Sequence, residues 1–464
     1  MARSLACIAA LGAGIALSAS AQPAAKFTVP ISYYKLSNGL KVALSKDTTA
    51  PTVVIAVYYN IGFRIEPRNR TGFAHLFEHL MFEGSKNLGK GEFDKLIEGN
   101  GGLSNGSTRF DFTNYFEVVP SHALEIMLWG EADRMKNLTL TEETLKNQQG
   151  VVGNEVKVNV LNRPYGSFPW LDMPQYANQN WYNAHNFYGD LGDIEAATLS
   201  DAREFSQTFY APNNAALVLV GDFDEDQAKR WIEKYFGGIR ASKLPPRPDL
   251  TEPRQEAEKR FTKIDKLAEK PALAIAYHMP ERMTPEHDAM VLIDQMLVEG
   301  DDSLLTQELV KKRGFTDSVD GGINLLGNQY DYQGPMLWMA DLIHDASVKP
   351  DQILEAASAV IEGLRQKPPS KDVLDRALVK FRSQYYQSLT QFGGFGRANL
   401  MASFALFDDN PAYINKLEDN LRKVTPELVQ KTASEYLRPG NRTVLVLEAG
   451  AAAPKPAAAK GGAQ

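Results

Sequence analysis

Two histidines and a glutamate stand close together in the segment Gly72–Phe82, whose sequence is GFAHLFEHLMF. His75, Glu78 and His79 form the pattern H-x-x-E-H. In a helix, residues three and four apart share a face, so both imidazoles can bind one metal ion with Glu78 beside them. Zinc lowers the pKa of a bound water, and a neighbouring carboxylate can take its proton. The pattern, which inverts the H-E-x-x-H zincin signature, therefore predicts a hydrolytic zinc site with Glu78 as general base.

A catalytic zinc site needs a third protein ligand, with one position left for water. The helical segments that follow the motif offer four glutamates at usable spacing. These are Glu131, Glu142, Glu143 and Glu155. Spacing alone does not select one of them.

The segments around the motif have counterparts later in the chain. The acidic amphipathic stretch Leu199–Phe209 is followed by Pro212 and a buried-strand pattern, and residues 424–435 are followed by Pro439 and a similar pattern. The apolar runs after Pro51 and Pro271 are offset by nearly the same amount. We therefore predict an α+β protein of two tandem homologous α/β repeats, each an antiparallel-rich sheet covered by helices.

Composition places the boundaries between these parts. Residues 240–260 are polar, contain four prolines and lack an apolar period, which is typical of a linker. Residues 449–464 are low-complexity Ala, Pro, Lys and Gly, and we expect this tail to be disordered. The prediction is a zinc-binding repeat over 22–239, a linker over 240–260 and a second repeat over 261–448.

The N-terminus has the pattern of an export signal. Arg3 precedes an apolar run from Leu5 to Leu17, and Ala19-Ser20-Ala21 matches a cleavage site after Ala21. An apolar first helix of the folded domain is the alternative. The single cysteine, Cys7, lies inside the predicted signal, so the mature chain must be stabilised by packed cores rather than disulfides. We predict a periplasmic protein.

Charge and hydropathy argue against nucleic-acid binding and against a membrane span. Asp and Glu number 57 against 50 Lys and Arg, for a net charge of −7, and a nucleic-acid binder would need a basic surface. After the signal, no run approaches the ~20 apolar residues of a membrane span. We expect no nucleic-acid partner and no membrane span.

Beyond these patterns, the chain resembles the pitrilysin/insulinase family of zinc metallopeptidases, in the half-length branch that includes mitochondrial processing peptidase and bacterial periplasmic homologues. The resemblance rests on five segments. They are GFAHLFEHLMFEG from Gly72, GGLSNGST from Gly101, NQQGVVGNE from Asn147, FYAPNNAALVLVGD from Phe209 and, in the second half, LTQELVKKRGF from Leu305. It implies that His75, His79 and Glu155 bind one zinc ion per chain and that Glu78 is the general base.

The resemblance also implies residues around the zinc site. The family often has a glutamate where this chain has Gln148, which can support the ligands by hydrogen bonding but adds no charge. Asn105, Gly106 and Ser107 match an edge strand that binds peptide substrate by β-augmentation, where the family usually has alanine at the position of Gly106. A plain turn before a strand is the alternative for this segment.

The second repeat is predicted to lack a metal site. Alignment of the repeats places Val291 opposite His75, Asp294 opposite Glu78 and Gln295 opposite His79. The resemblance further implies an arginine and a tyrosine from the second half that bind the substrate carbonyl and backbone. The matching stretch, 334–362, contains neither residue type. We therefore expect a second family chain, in a homo- or heterodimer, to supply these groups, with Arg397 as an alternative donor.

Aromatic residues are frequent between Pro164 and Tyr188, in a segment without helical period. A long loop of this kind is often functional. Two interpretations stay open: the segment lines a substrate chamber or partner contact, or it packs over the zinc helix.

The leading hypothesis is a zinc endopeptidase acting on peptides or unfolded segments, as the catalytic chain of a two-chain enzyme. The alternative is a non-catalytic binding or scaffold subunit of a peptidase-like complex. A metal carrier is a third hypothesis, but the sequence has no metal-rich loop or tail.

Overall fold

The computed structural model describes residues 27–450. The predicted signal peptide and all but the first two residues of the predicted tail lie outside the described residues. The described part has two β-sheets and helices that pack on them, which confirms the α+β class.

The first sheet has six strands. In chain order they are β1 (Ser32–Lys35), β2 (Lys41–Lys46), β3 (Thr52–Tyr59), β4 (Leu103–Thr108), β5 (Thr113–Pro120) and β6 (Ala215–Gly221). Their spatial order is β1-β2-β6-β3-β5-β4, so β4 is an edge strand. The β2–β6 pair is parallel and the other pairs are antiparallel.

The second sheet has five strands. They are β7 (Lys259–Asp265), β8 (Ala272–His278), β9 (Asp320–Ile323), β10 (Leu337–Ile343) and β11 (Arg442–Ala449). Their spatial order is β7-β11-β8-β10-β9, with one parallel pair, β7–β11. This order repeats that of β2-β6-β3-β5-β4, parallel pair included. The two halves therefore share one topology, as the repeated segments predict.

Helices cover both sheets. In the first half they are α1 (Phe73–Leu80), α2 (Glu92–Gly99), α3 (Leu124–Asn137), α4 (Glu142–Val156), α5 (Asp172–Ala177), α6 (Trp181–Ala184), α7 (Leu191–Glu195), α8 (Leu199–Phe209) and α9 (Glu225–Phe236). In the second half they are α10 (Pro285–Leu297), α11 (Pro350–Gln366), α12 (Lys371–Ser388), α13 (Phe395–Asp408), α14 (Leu417–Leu421) and α15 (Pro426–Tyr436). Residues 157–161 and 306–312 form π-helical turns.

The first sheet is buried on both faces. One face packs against helices of its own repeat, including α1 and α3. The other face packs against α13, a helix from the second half. Seven of the eight residues of β3 are therefore buried, which suits its continuous apolar sequence TVVIAVYY.

Local patterns predict several elements closely. The amphipathic stretch Leu199–Phe209 is α8, and a proline turn and β6 follow it. The alternating sequence from Phe110 to Val118 predicts a half-buried strand. The strand in the structure, β5, begins instead at Thr113, because residues 109–112 turn back with Arg109 N–H donating to the Phe112 carbonyl. Thr113–Glu117 are all buried, because the sheet is covered on both faces.

The predicted linker is an extended strap. Residues 240–258 contain no helix or strand, and β7 begins at Lys259. Glu252 in this strap accepts hydrogen bonds from the backbone of Asn180 and the side chain of Asn183. The strap is thus tied to the aromatic segment rather than free. In the described part of the chain, no helix has the length and apolar character needed to cross a membrane.

Candidate metal centre

The helix that carries His75, Glu78 and His79 begins at a buried anionic cap. Glu66 accepts hydrogen bonds from the backbone N–H groups of Gly72, at 2.9 Å, and Ala74, at 2.6 Å. These N–H groups have no partner inside the helix, and the helix dipole favours a carboxylate there. Burial raises the pKa of Glu66, while these bonds and His185 oppose the shift. Sequence analysis missed this residue, because Glu66 lies six residues before Gly72, outside the first turn in which an acid signals a helix start.

The apolar residues of α1 anchor it to the sheet. Leu76, Phe77 and Leu80 are fully buried in the core of the first repeat. His75, Glu78 and His79 therefore lie on the side that faces the cleft, as their spacing in the helix predicts.

Glu155 reaches this face from α4. The helix is capped by Thr141, whose hydroxyl accepts from the Thr144 N–H in a reciprocal capping arrangement. Glu155 lies in its last turn. Of the four glutamates that spacing leaves open, Glu142 and Glu143 are exposed in the first turn of the same helix, and Glu131 is buried beside Arg134. Tertiary packing thus brings only Glu155, among these four, to the two histidines.

The side chains of His75, His79 and Glu155 form a compact candidate metal-binding group, which we call the metal group. His75 Nε2 lies 3.6 Å from Glu155 Oε1, and His79 Nε2 lies 3.3 Å from Glu155 Oε2. Within residues 27–450, this is the one group of three or more His, Cys, Asp or Glu residues whose ligand atoms all lie within 4.8 Å of one another.

These distances fit a tetrahedral zinc ion. Zinc binds nitrogen and carboxylate oxygen at about 2.0–2.2 Å, which places two ligand atoms roughly 3.4 Å apart. The observed separations of 3.3 and 3.6 Å, each measured to a different oxygen of Glu155, lie close to that value. Two imidazoles and one carboxylate are also a donor set that zinc accepts, with a position left for water.

The environment sets the charge of each group. Burial lowers the pKa of His75 to about 4, so its imidazole is neutral and able to bind a metal. The hydrogen bond with His79 lowers the pKa of Glu155 to about 2, which keeps it ionised. Burial would lower the pKa of His79, but the hydrogen bond with Glu155 and the charge of Glu78 outweigh it and raise the pKa.

Glu78 is oriented by the edge strand. Thr108 Oγ1 donates to Glu78 Oε2 at 2.6 Å. Burial raises the pKa of Glu78, and this hydrogen bond opposes the shift. A Cβ added at Gly106 would lie 3.3 Å from Cγ of Glu78, so the glycine lets the strand approach the helix closely.

Gln148 lies beside His79. Its side chain is hydrogen-bonded to His79, and its Nε2 donates to Glu83. Glu83 is buried, and one of its oxygens lies 2.8 Å from Lys90 Nζ. The carboxylate of Glu83 therefore contacts His79 through Gln148. The family pattern instead often has a glutamate at the position of Gln148 itself.

The aromatic segment supplies a residue that sequence analysis did not single out. Tyr188 donates its hydroxyl proton to Glu155 Oε1 at 2.6 Å, and its ring centroid lies 5.0 Å from that of His75. The next residue, Gly189, touches Gly72 at the start of α1, where a Cβ on Gly189 would come within 2.5 Å of the Gly72 Cα. Only a pair of glycines allows this approach. The segment thus packs over the metal helix, which agrees with the second interpretation, and Tyr188 also lines the cleft.

The group opens into a cleft of about 520 Å³ between the halves. One side of the cleft is β4, whose residues Asn105, Gly106 and Ser107 line it. Strand β4 pairs with β5 on one edge, and no strand of the described chain pairs with its other edge. Arg109, just after β4, also lines the cleft and is its one arginine within residues 27–450.

The second repeat has no equivalent group among the described residues. Asp294, aligned with Glu78, is buried in α10 and accepts a hydrogen bond from Trp338 Nε1 at 2.8 Å. Arg397, the alternative donor, is buried in the first turn of α13 and forms an ion pair with Asp47 at 2.9 Å. Its guanidinium therefore joins the two halves and does not line the cleft.

Two models of one protein family match most of the chain. A family model described as Insulinase (Peptidase family M16) matches residues 41–180, which include the metal group. A second model, Peptidase M16 inactive domain, matches residues 196–380. The chain belongs to the M16 peptidase family. The resemblance to pitrilysin and insulinase is thus confirmed, and the family's inactive-domain model covers most of the half without a metal group.

Individual M16 proteins extend the match along the chain. Zinc protease PqqE of Helicobacter pylori is 26% identical over 418 residues, which are 89% of this chain and 91% of that protein. The mitochondrial-processing peptidase subunit beta of Bos taurus is 27% identical over 202 residues, covering 44% of this chain and 41% of that protein. The name of the first of these proteins supports zinc as the metal of this family.

A solved structure shows the same fold. The crystal structure of a protease from Helicobacter pylori superposes with a TM-score of 0.83 at 24% identity. The match covers 91% of this chain and 100% of that one. The half-length M16 architecture of two repeats is therefore shared over nearly all of the described residues.

Proposed function

We propose that this M16 chain is a zinc-dependent endopeptidase that hydrolyses peptides or unfolded polypeptide segments. One observation carries the proposal. A single cleft is lined by His75, Glu78, Glu155 and the unpaired edge of β4, and His79 lies 3.3 Å from Glu155. A peptide along that edge would lie beside the metal ligands.

In this proposal His75, His79 and Glu155 hold one zinc ion. When bound, zinc would supply a Lewis acid that activates water and polarises the scissile carbonyl. Glu78 is the general base. Its carboxylate is half-buried, fixed by Thr108 and raised in pKa, so it is a stronger base than an exposed glutamate and can pass the proton on to the leaving amine. Gln148 and Tyr188 hold the ligands in place through His79 and Glu155.

The substrate-binding element is β4. Asn105, Gly106 and Ser107 would pair their backbone with an extended peptide, which makes affinity depend little on the peptide's sequence. This mode of binding requires an extended or unfolded substrate, because a folded chain has few unpaired strands to offer.

We also propose a second family chain as partner. Residues 334–362 contain no arginine or tyrosine, and Arg397 is held by Asp47. Donors to the developing oxyanion are worth about 10²–10³ in rate, so a chain without them should be slow. The similarity to the subunit named mitochondrial-processing peptidase subunit beta supports this arrangement. Light scattering will show whether the chain self-associates, and rising amounts of a second M16 chain should increase peptide cleavage.

The same missing pair favours a second candidate function. A chain that binds peptides but cleaves them poorly would act as a binding or scaffold subunit. Retention of Glu78 in hydrogen-bonded geometry favours the enzyme.

We further propose export to the periplasm with cleavage after Ala21, which N-terminal sequencing of the mature protein would test.

The deciding experiment is Glu78→Gln. The amide cannot accept the proton, although it is nearly isosteric, so peptide hydrolysis should fall on the order of 10²–10⁴-fold while zinc content stays at one ion per chain. Zinc is measured by atomic absorption, and cleavage by mass spectrometry of an unstructured peptide. Near-normal cleavage by the variant would remove Glu78 from the mechanism, and a zinc-loaded wild-type chain that cleaves nothing, with or without a partner, would favour the scaffold function.

A further inference from the structure

The cleft beside the metal group has an apolar wall that comes from the second half of the chain. Phe392 and Phe395 line it together with Leu103 and Phe116 of the first repeat. Phe392 is 68% exposed and Leu103 is 48% exposed. Large apolar side chains left open in a concave site with a few polar groups are typical of ligand contact.

The backbone at Phe392 is held in an unfavourable conformation. Its φ of 45° and ψ of 53° lie in the left-handed region, which a bulky residue rarely adopts. Gly393 and Gly394 follow with φ of 67° and 105°. Such strain persists where the surrounding structure enforces it, and it is common at binding sites.

The two glycines explain how this turn reaches the first sheet. A Cβ on Gly393 would lie 3.0 Å from Cγ1 of Val118, and one on Gly394 would lie 3.1 Å from Cγ1 of Val220. The turn therefore rests directly on β5 and β6. This contact places the aromatic pair of the second half beside the strand that borders the metal group.

The apolar wall formed by Phe392 and Phe395 and the metal group lie on opposite sides of β4. Phe395 stacks on Phe116 with ring centroids 3.8 Å apart, and Phe116 is paired with Asn105 in the β4–β5 register. Cross-strand partners share a face, and neighbours along a strand alternate. Leu103, Asn105 and Ser107 thus face the apolar wall. Thr108 and Gly106, by contrast, face Glu78.

We propose that Phe392 and Phe395, with Leu103 and Phe116, form a specificity pocket for one bulky apolar side chain of the substrate. The inference rests on the proposed function, since it takes an extended peptide paired along β4. In such a peptide the side chains alternate like those of β4, so residues beside the metal group alternate with residues that face the pocket. The preferred substrates are extended segments with a Phe, Leu or Met at a pocket-facing position.

The test measures peptide binding in the Glu78→Gln chain, where binding is separated from cleavage. Fluorescent peptides differ at one position, with Phe or Ala, and the substitution is moved along the peptide. We expect the Phe peptide to bind about tenfold tighter than the Ala peptide at one position, because burying a phenyl ring is worth roughly that factor or more. Fluorescence anisotropy gives the dissociation constants.

The diagnostic variant is Phe392→Asn, since asparagine tolerates left-handed backbone and lacks the ring. It should reduce the Phe-to-Ala ratio to near one, while Phe392→Leu should keep most of it. Ile264→Asn is the matched control. Ile264 is 63% exposed on the edge strand β7 and is not among the residues lining the cleft, so this variant should leave the ratio unchanged.

Either of two outcomes would overturn the pocket. One is a Phe-to-Ala ratio near one at every position in the parent chain. The other is a ratio that Phe392→Asn does not alter; if that variant also changes the molecular mass on light scattering, Phe392 is a contact between chains. Cleavage of the same peptides by the wild-type chain is scored separately. A preference in binding without any cleavage contradicts only the peptidase proposal, and cleavage without preference contradicts only the pocket.

Discussion

Tyr188 donates a hydrogen bond of 2.6 Å to Oε1 of Glu155, from a segment 33 residues further along the chain. The same ring packs against His75. One tyrosine therefore restrains two of the three residues of the metal group, and it does so from an aromatic segment whose sequence has no regular period.

Tyr188→Phe should weaken zinc binding roughly tenfold, because it removes the hydrogen bond to Glu155 and leaves the ring contact with His75. Competition with a chromogenic chelator measures the dissociation constant. Tyr182→Phe is the control, since it removes a hydroxyl from the same segment away from the metal group. Equal zinc affinity in the two variants would show that the hydrogen bond does not support the ligand.

Glu155→Gln should lower the zinc content after dialysis, because an amide oxygen is a much weaker zinc ligand than a carboxylate. Glu142→Gln and Glu143→Gln change the same residue type in the first turn of the same helix, where both side chains are exposed, and should retain full zinc. Metal analysis of the three dialysed variants shows whether Glu155 is the third zinc ligand. If all three keep one zinc ion, the third ligand lies elsewhere.

Asp294 should make the stability of the chain depend on pH. Burial raises its pKa to about 7, opposed by the hydrogen bond from Trp338, whereas an unfolded aspartate titrates near 3.9. The folded state thus holds the proton more tightly. The stabilisation this provides is present below about pH 4 and is lost as pH rises to about 7.

Asp294→Asn has no such titration, so its stability relative to the wild type should rise between pH 4.5 and pH 8. Each unit of pKa shift corresponds to about 1.4 kcal/mol, which predicts a change on the order of a few kcal/mol. Urea unfolding of both proteins at the two pH values gives the difference. A stability difference that is the same at both pH values would contradict the buried, protonated carboxyl.

Asp111 should hold the two halves together. Its Oδ1 accepts from Arg64 Nε at 2.9 Å, and its Oδ2 accepts from the backbone N–H groups of Gln333 at 2.8 Å and Gly334 at 3.3 Å. Arg64 and Asp111 are each 2% exposed. Asp111→Asn leaves the arginine charge buried without its partner, which typically costs about 3–5 kcal/mol.

Hydrogen exchange and unfolding check this role of Asp111. The amides of Gln333 and Gly334 should exchange faster in Asp111→Asn, and the unfolding midpoint should fall. Asp345→Asn is the control, because Asp345 also accepts a backbone N–H, from Ser347, but is exposed and outside the contact between the halves. A loss of stability no larger than that of the control would refute the role.

Sequence alone predicted the features that depend on neighbours along the chain. The H-x-x-E-H spacing placed two histidines and Glu78 on one face of α1, because helix geometry fixes which residues share a face. The amphipathic period of Leu199–Phe209 marked α8 from end to end. The repeated helix, proline turn and strand predicted two halves with one topology, which the strand orders bear out.

Tertiary structure alone decided the features that depend on contacts between distant segments. Spacing left four glutamates open, and the packing of α4 against α1 brings Glu155 to the histidines. Tyr188 reaches Glu155 through the close approach of Gly72 and Gly189. Phe392 reaches β4 because α13 crosses onto the first sheet. Periodicity reports which face of an element is apolar, but not which other element covers that face, so these contacts emerge only when the whole chain has packed.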